Sequence, residues 1–152
     1  TRCLSDWSSD VCSSDLFFHG HSYTGNPLGC AVALANLDIF RKEKTLAGLR
    51  PKIALLKRLL KPFADLPLVG DIRQRGMMVS IELVQNKTTR EAIPLQARIG
   101  HRVTMEARRL GLLLRPLGNI IVLMPPLSAT PGELQRMIAI LQQAITRIHA
   151  DL

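Results

Sequence analysis

The chain has 152 residues, enough for one domain with a real hydrophobic core but not for two large ones. Hydrophobic residues make up 47% and charged residues 21%, an ordinary globular profile, and no apolar run approaches the ~18–20 residues that span a bilayer. The net charge of +8 does not indicate nucleic-acid binding, because the basic residues are dispersed and only 4% of residues are aromatic. Since no signal peptide is recognisable either, we expect a cytoplasmic protein that binds neither nucleic acid nor membranes.

The first sixteen residues differ from the rest of the chain. They contain three Ser-Asp dipeptides and show neither helical nor strand periodicity. The segment resembles translated adaptor sequence of the kind fused to fragmentary genes, so we interpret residues 1–16 as non-native. The alternative is a native, flexible serine-rich arm. The genomic DNA upstream of the Phe17 codon distinguishes the two, because a continuous native reading frame through Thr1 would exclude the adaptor.

Residues 19–30 form the most informative stretch, in which glycines and hydroxyl-bearing residues precede an apolar run. Asn26 is a favourable N-cap and Pro27 suits the first helical position, so a helix is predicted from Pro27 to Glu43. Hydroxyls and glycine N–H groups in the preceding loop are suitable donors to a phosphate. The alternative is an ordinary capped loop that leads into a buried helix.

A second helical pattern covers residues 46–60. Pro51 falls inside it, so the helix either restarts or kinks there, and two prolines within residues 61–67 end it. From Val69 the apolar period changes to two, and the alternation over residues 77–83 predicts a strand with one buried face. Gly76, just before this strand, is interpreted as a bulge or a close backbone approach.

The remaining elements follow in short succession. Residues 85–91 are polar and predict a loop, and Leu95–Leu110 predicts a helix with Gly111 as its C-terminal cap. Two short strands, Leu112–Arg115 and Ile120–Met124, are predicted to form a hairpin through the residues between them.

A capping box is predicted at Thr130–Glu133 and starts the last helix. Its inward positions are Leu134, Met137, Ile138, Leu141, Ile145 and Ile148. The order of elements predicts an α/β fold class, with a small antiparallel sheet covered by helices.

Three blocks of the sequence resemble class III pyridoxal-phosphate-dependent aminotransferases. The blocks are His19–Ala33, Val69–Leu83 and Leu114–Leu127. The similarity extends from about Phe17 to the C-terminus. It implies the C-terminal part of the type I fold of pyridoxal-phosphate enzymes, with residues 17–44 as the end of the large cofactor-binding domain and a linking helix, and residues 45–152 as the small domain.

The same resemblance implies that the chain contains no catalytic residue. In the family, the lysine that forms a Schiff base with the cofactor and the aspartate that contacts its ring nitrogen both precede the position of Phe17. The lysines of this chain fall in a loop or on solvated helical faces, and none lies in the kind of site that a Schiff-base lysine occupies. We therefore expect a C-terminal fragment that is inactive alone.

Four binding residues are implied by the resemblance. Gly20 lies against the substrate, while His21 and Ser22 contact the phosphate of pyridoxal 5'-phosphate across the interface of a homodimer. Arg115 pairs with the substrate carboxylate, for which a planar guanidinium is well suited. The alternative for Arg115 is a surface arginine at a strand end. No metal site is indicated, because the His, Cys and carboxylate spacings are not those of metal ligands.

The block Leu114–Leu127 favours the branch of the class that acts in biotin synthesis. This implies transfer of the amino group of S-adenosylmethionine to 8-amino-7-oxononanoate, giving 7,8-diaminononanoate. Two alternatives remain: another class III ω-amino-acid or diamine aminotransferase, and a non-catalytic α/β module that binds a partner. The polar, glycine-rich loop at residues 20–25 argues against the second, since packing alone does not require it.

Overall fold

The computed structural model describes residues 24–151, and the chain divides after Glu43 into two compact units. The described part of the first unit contains α1 (Pro27–Lys42). The second unit contains α2 (Thr45–Leu60), β1 (Val69–Arg75), β2 (Met78–Asn86), β3 (Glu91–Ala92), α3 (Ile99–Arg109), β4 (Arg115–Leu117), β5 (Ile120–Leu123) and α4 (Pro131–Ala150). Short 3-10 helices lie at Lys61–Asp65 and Leu95–Ala97. Within the described residues, no helix is long and apolar enough to cross a membrane.

Helix α1 begins where its sequence predicts. The Asn26 side-chain oxygen accepts hydrogen bonds from the N–H groups of Leu28 (3.0 Å) and Gly29 (3.2 Å), and Pro27 occupies the first turn. This cap satisfies donors that a helix start otherwise leaves unpaired. None of the α1 residues is buried, although the helix is largely apolar.

The sheet of the second unit is antiparallel, in the order β1-β2-β5-β4, with β3 paired to the end of β2. Alternate residues of β2 are buried, namely Val79, Ile81 and Leu83, which confirms the predicted two-residue period. Their partners in β5 include the buried Ile121 and Leu123. One face of the sheet is therefore buried and forms one side of the hydrophobic core.

Helices α2, α3 and α4 complete this core. Their buried residues include Leu56 of α2, Val103 of α3 and Leu141 of α4, all with no exposed surface. The predicted capping box of α4 is confirmed, because the Glu133 N–H donates to the Thr130 hydroxyl (3.2 Å) and the Thr130 N–H donates to the Glu133 carboxylate (2.7 Å). The predicted antiparallel sheet covered by helices is likewise confirmed.

The two-residue period was recognised from Val69, but the sequence predicted one strand where the structure has two. Residues 69–75 form β1, which pairs with β2 through a two-residue turn whose first residue, Gly76, has φ +62°. The interpretation of Gly76 as a bulge was wrong, since the register shift lies instead around Gly70. A Cβ at Gly70 would lie 2.5 Å from Val84 Cγ1, so that is where the backbone makes its close approach. The charged residues on the other face of β1 obscured its apolar alternation.

Two other predicted boundaries were also wrong, and one of the two alternatives for Pro51 is excluded. The helix over 95–110 is interrupted at Arg98, whose φ of 49° ends a short 3-10 turn before α3 begins. The loop over 85–91 is shorter than predicted, because it contributes to β2 and β3. Pro51 does not restart the second helix, since α2 runs through it.

The first strand of the last hairpin is shifted along the chain, whereas the second, β5, begins at Ile120 as predicted. Strand β4 begins at Arg115, so Arg115 is the first residue of this strand and not the last, as the sequence had predicted. Pro116 lies within β4 opposite Ile121, which an edge strand tolerates because one side of its backbone needs no partner. The turn consists of Gly118, with φ +58°, and Asn119.

Glu106 connects α3 to α4. Its buried carboxylate accepts hydrogen bonds from Arg147 (2.7 Å) in α4 and from Arg109 (3.3 Å) in its own helix. The hydrogen bond from Arg147, together with that from Arg109, lowers the pKa of Glu106, although burial opposes the shift.

Replacing Glu106 with Gln tests this connection. A carboxyl group whose pKa is lowered on folding stabilises the folded state fully above its ordinary pKa of 4.5, and that contribution is lost as the pH falls through the lower pKa of the folded state. We expect Glu106→Gln to melt at a lower temperature than the wild type at neutral pH, with the gap closing below about pH 4.5. Thermal unfolding followed by circular dichroism measures both effects.

Glu91→Gln is the matched control, because Glu91 is exposed, and it should leave the melting temperature unchanged. A gap between wild type and Glu106→Gln that stays constant on acidification would show that charge plays no part in the connection.

Candidate functional site

Arg115 lies on the face of the sheet that turns away from the core. It is paired with Val122 of β5, which pairs in turn with Ser80 of β2, and Ser80 with Arg73 of β1. Side chains at paired positions of an antiparallel sheet share a face, so these four residues form one row. We call this side of the sheet the open sheet face: it comprises this row, the apolar Met78 and Leu117, and the charged Asp71, Arg75 and Glu82.

The two arginines of this row, Arg73 and Arg115, differ in their partners. Arg73 contacts Asp71 (3.1 Å) and Glu82 (3.3 Å), so its charge is balanced within the chain. Among residues 24–151, no carboxylate lies within 4.0 Å of the Arg115 guanidinium. Arg115 therefore offers a guanidinium that a carboxylate from outside the described chain could bind.

Apolar side chains share this face with Arg115. Leu117, two residues further along β4, is 61% exposed, and Met78 at the start of β2 is 52% exposed. Val122 lies directly opposite Arg115. A guanidinium beside an exposed apolar surface suits a ligand that has a carboxylate at the end of an aliphatic chain.

The predicted phosphate-binding residues precede the described part of the chain. Gly20, His21 and Ser22 lie outside residues 24–151, so only the end of their loop is described. There, Gly25 has φ +73°, a left-handed conformation that glycine adopts without strain.

The start of α1 limits how a phosphate could be held. The N–H groups of Leu28 and Gly29 donate to the Asn26 side chain, and that of Cys30 donates to the Asn26 carbonyl (2.9 Å). Pro27 has no N–H, so the first turn has no donor left for a phosphate while Asn26 caps it. Donors to a phosphate would have to come from the loop before the helix, where glycine and hydroxyl groups fit that role chemically.

No group of three or more His, Cys, Asp or Glu side chains within the described residues is arranged to hold a metal ion.

Sequence analysis missed the tertiary role of Asn119, which it treated only as a turn residue. The Asn119 side-chain N–H donates to the Ile93 carbonyl (2.6 Å), and its backbone carbonyl accepts from the Leu83 N–H (2.9 Å). Nothing in the local sequence marks these contacts, because the partners are 26 and 36 residues away.

Residues 5–145 match the family model described as aminotransferase class-III. The chain belongs to the class III aminotransferases. The match starts inside residues 1–16, whose interpretation as non-native stays a prediction.

Individual relatives agree with this assignment. The chain is 55% identical over 132 residues to adenosylmethionine-8-amino-7-oxononanoate aminotransferase of Nitratidesulfovibrio vulgaris, a match that covers 87% of the chain and 24% of that relative. It resembles the crystal structure of the enzyme of the same name from Methanocaldococcus jannaschii, with a TM-score of 0.82 and 43% identity over 90% of this chain and 31% of that one.

A third likeness is to the PLP-bound crystal structure of an amine transaminase from an uncultivated Pseudomonas species, with a TM-score of 0.79 and 38% identity over 88% of this chain and 30% of that one. These likenesses confirm the aminotransferase fold that the resemblance implied. The chain spans about a quarter to a third of the length of these relatives.

Proposed function

We propose that the chain is the C-terminal part of an adenosylmethionine-8-amino-7-oxononanoate aminotransferase, a cytoplasmic enzyme of biotin synthesis. The complete enzyme transfers the amino group of S-adenosylmethionine to 8-amino-7-oxononanoate and gives 7,8-diaminononanoate. The observation that carries this proposal is Arg115, which lies on the open sheet face beside the exposed Leu117 and has no carboxylate partner in the described chain. The identity of 55% to a relative of that name supports the choice of reaction.

The cofactor of the proposed enzyme is pyridoxal 5'-phosphate, which supplies the electron sink for amino transfer when bound. The Ser22 hydroxyl donates a hydrogen bond to its phosphate, His21 contributes through its backbone, and Gly20 lies against the substrate. The capped start of α1 supports this assignment, because it leaves the preceding loop as the source of donors.

The proposed enzyme is a homodimer in which the loop that contains Ser22 reaches the site of the other subunit. Residues 17–44 belong to a larger cofactor-binding domain. The exposed apolar side chains of α1 support this, because Leu28 and Leu34 are 75% and 65% exposed and such side chains are normally covered.

The substrate fits the chemistry of the open sheet face. The carboxylate of 8-amino-7-oxononanoate is separated from the reacting carbonyl by an aliphatic chain. The Arg115 guanidinium holds this carboxylate through two parallel hydrogen bonds, while Leu117 and Val122 contact the aliphatic chain. Arg115 thereby fixes both the orientation and the depth of the substrate.

The first prediction concerns the chain by itself. The cofactor-binding lysine of the proposed enzyme lies upstream, so this chain alone should be inactive. None of its lysines is buried, and Lys52 is already held by the Leu127 carbonyl (2.8 Å). After incubation with pyridoxal phosphate and reduction with borohydride, mass spectrometry should find no stoichiometric adduct. A complete adduct at one defined lysine would contradict this.

The second prediction concerns Ser22 in a full-length chimera, in which residues 17–152 replace the corresponding part of the Nitratidesulfovibrio vulgaris relative. Ser22→Ala removes one charge-assisted hydrogen bond, typically worth ~1.5–3 kcal/mol. Cofactor affinity should therefore fall about ten- to a hundredfold, as measured by fluorescence titration, with little change in substrate preference. Ser22→Thr keeps the hydroxyl and should retain the affinity. An unchanged affinity in Ser22→Ala would favour an ordinary capped loop.

The third prediction concerns Arg115 in the same chimera. Arg115→Ala should weaken binding of the keto acid by ~2–5 kcal/mol and leave the spectrum of the bound cofactor unchanged. Arg115→Lys should recover only part of the loss, because an ammonium group cannot form the two parallel bonds. Steady-state kinetics with both substrates measures the effect.

Arg75→Ala is the matched control, since Arg75 is an exposed arginine that pairs with Met78 on the same face of the sheet. It should leave the kinetics unchanged. Equal losses for S-adenosylmethionine and the keto acid in Arg115→Ala would make Arg115 a structural residue and remove the main support for this substrate.

A further inference from the structure

The turn between β4 and β5 is tied to two distant segments through one residue. The Asn119 side chain donates to the Ile93 carbonyl (2.6 Å), and the Asn119 carbonyl accepts from the Leu83 N–H (2.9 Å) in β2. The turn is thus attached both to the segment that leads into α3 and to the centre of the sheet. These bonds fix a strand of three residues that pairs only with β5.

Helix α3 also approaches this hairpin too closely for any side chain at Gly100. A Cβ placed on Gly100 would lie 2.1 Å from the Gly118 carbonyl oxygen and 3.0 Å from Pro116 Cβ. The Gly118 contact is with backbone, which cannot turn aside as the end of a flexible side chain can. By contrast, a Cβ on Gly132, in the first turn of α4, would meet nothing within 4 Å.

Asn119 carries a cost that packing alone does not explain. Its side-chain oxygen is buried and accepts no hydrogen bond from the described residues. A buried amide oxygen needs a hydrogen-bond donor, and the described residues do not provide one. Buried polar groups without a hydrogen-bond partner are expected at residues that support a binding site.

We propose that Gly100 and Asn119 are positioning residues for the substrate carboxylate. Together they determine the position of β4 and therefore the position of the Arg115 guanidinium. Pro116 follows Arg115 directly and faces α3, whereas Arg115 points to the open sheet face. A displacement of β4 away from α3 therefore carries Arg115 with it. This inference rests on the proposed function, which makes Arg115 the carboxylate ligand.

The size of the displacement determines the expected effect. For a Cβ on Gly100 to make an ordinary van der Waals contact, the backbone of the turn would have to move away by more than about 1 Å. A misplacement of that size lowers the rate of an orientation-dependent reaction about a hundredfold. Two parallel hydrogen bonds require the guanidinium to be placed within about 0.5 Å.

The kinetic test uses the full-length chimera with pyridoxal phosphate bound. Gly100→Ala should raise the KM for 8-amino-7-oxononanoate about ten- to a hundredfold and leave the KM for its methyl ester, which lacks the carboxylate, unchanged. In an Arg115→Ala background, Gly100→Ala should have no further effect on the acid, because the group that it positions is gone. Gly132→Ala is the matched control and should leave the KM of both compounds unchanged.

Asn119→Ala is the second variant, which removes one hydrogen bond without introducing bulk. It should shift the KM for the acid in the same direction and spare the ester. If Gly100→Ala does not fold, Asn119→Ala alone tests the positioning inference.

A readout independent of activity comes from amide hydrogen exchange in the 152-residue chain. The Leu83 N–H, which donates to the Asn119 carbonyl, should exchange at least about tenfold faster in Gly100→Ala and Asn119→Ala than in Gly132→Ala.

The outcomes separate the two proposals. If Arg115→Ala leaves the KM for the acid unchanged, the proposed role of Arg115 fails and the positioning inference fails with it. If Arg115→Ala raises that KM while Gly100→Ala and Asn119→Ala do not, or affect the acid and the ester equally, only the positioning inference is overturned. Unchanged exchange at Leu83 in both variants overturns it as well.

Discussion

The pairing of β2 with β1 on one side and β5 on the other is the constraint on which the second unit depends. Antiparallel pairing sends alternate side chains to opposite faces, so a single register decides which residues enter the core. Val79 and Ile81 meet Leu123 and Ile121 on the inner face, where the helices cover them. The same register sends Arg115 to the outer face. A shift by one residue would exchange the two sets and leave neither a core nor a site.

Of the two arginines in the row that crosses the open sheet face, one is paired with carboxylates of the described chain and the other is not. Arg73 is balanced by Asp71 and Glu82 at exposed positions, where ion pairs contribute little to stability but do occupy the guanidinium. Glu106 is different, because its carboxylate is buried and would be costly to leave without Arg147. Arg115 belongs to neither arrangement within the described chain, and this is the electrostatic basis for a ligand carboxylate there.

The close approach of α3 to the last hairpin links the core to the proposed site. Ile99 and Val103 are fully buried in the core, while Gly100 between them lies against the turn. Packing of α3 therefore fixes the distance between the core and β4. Since protein interiors are densely packed, a change at this contact is transmitted to the strand instead of being absorbed.

Much of the fold was determined by the sequence alone. The caps at Asn26 and Thr130, the inward positions of α4, and the buried face of β2 all follow from local spacing, since each depends on residues within a turn or two. The resemblance of three sequence blocks also indicated the family, which the match over residues 5–145 confirms.

The tertiary structure decided what depends on distant partners. Strand β1 was not recognised as a separate strand because Asp71, Arg73 and Arg75 dominate its sequence, and only pairing with β2 defines it. Arg115 was recognisable as a candidate, but its place at the start of β4 and its contrast with Arg73 required the register of four strands. The contacts of Gly100 and Asn119 join residues far apart in the chain. Local sequence carries no signal for such contacts, because they exist only once the sheet and α3 have packed together.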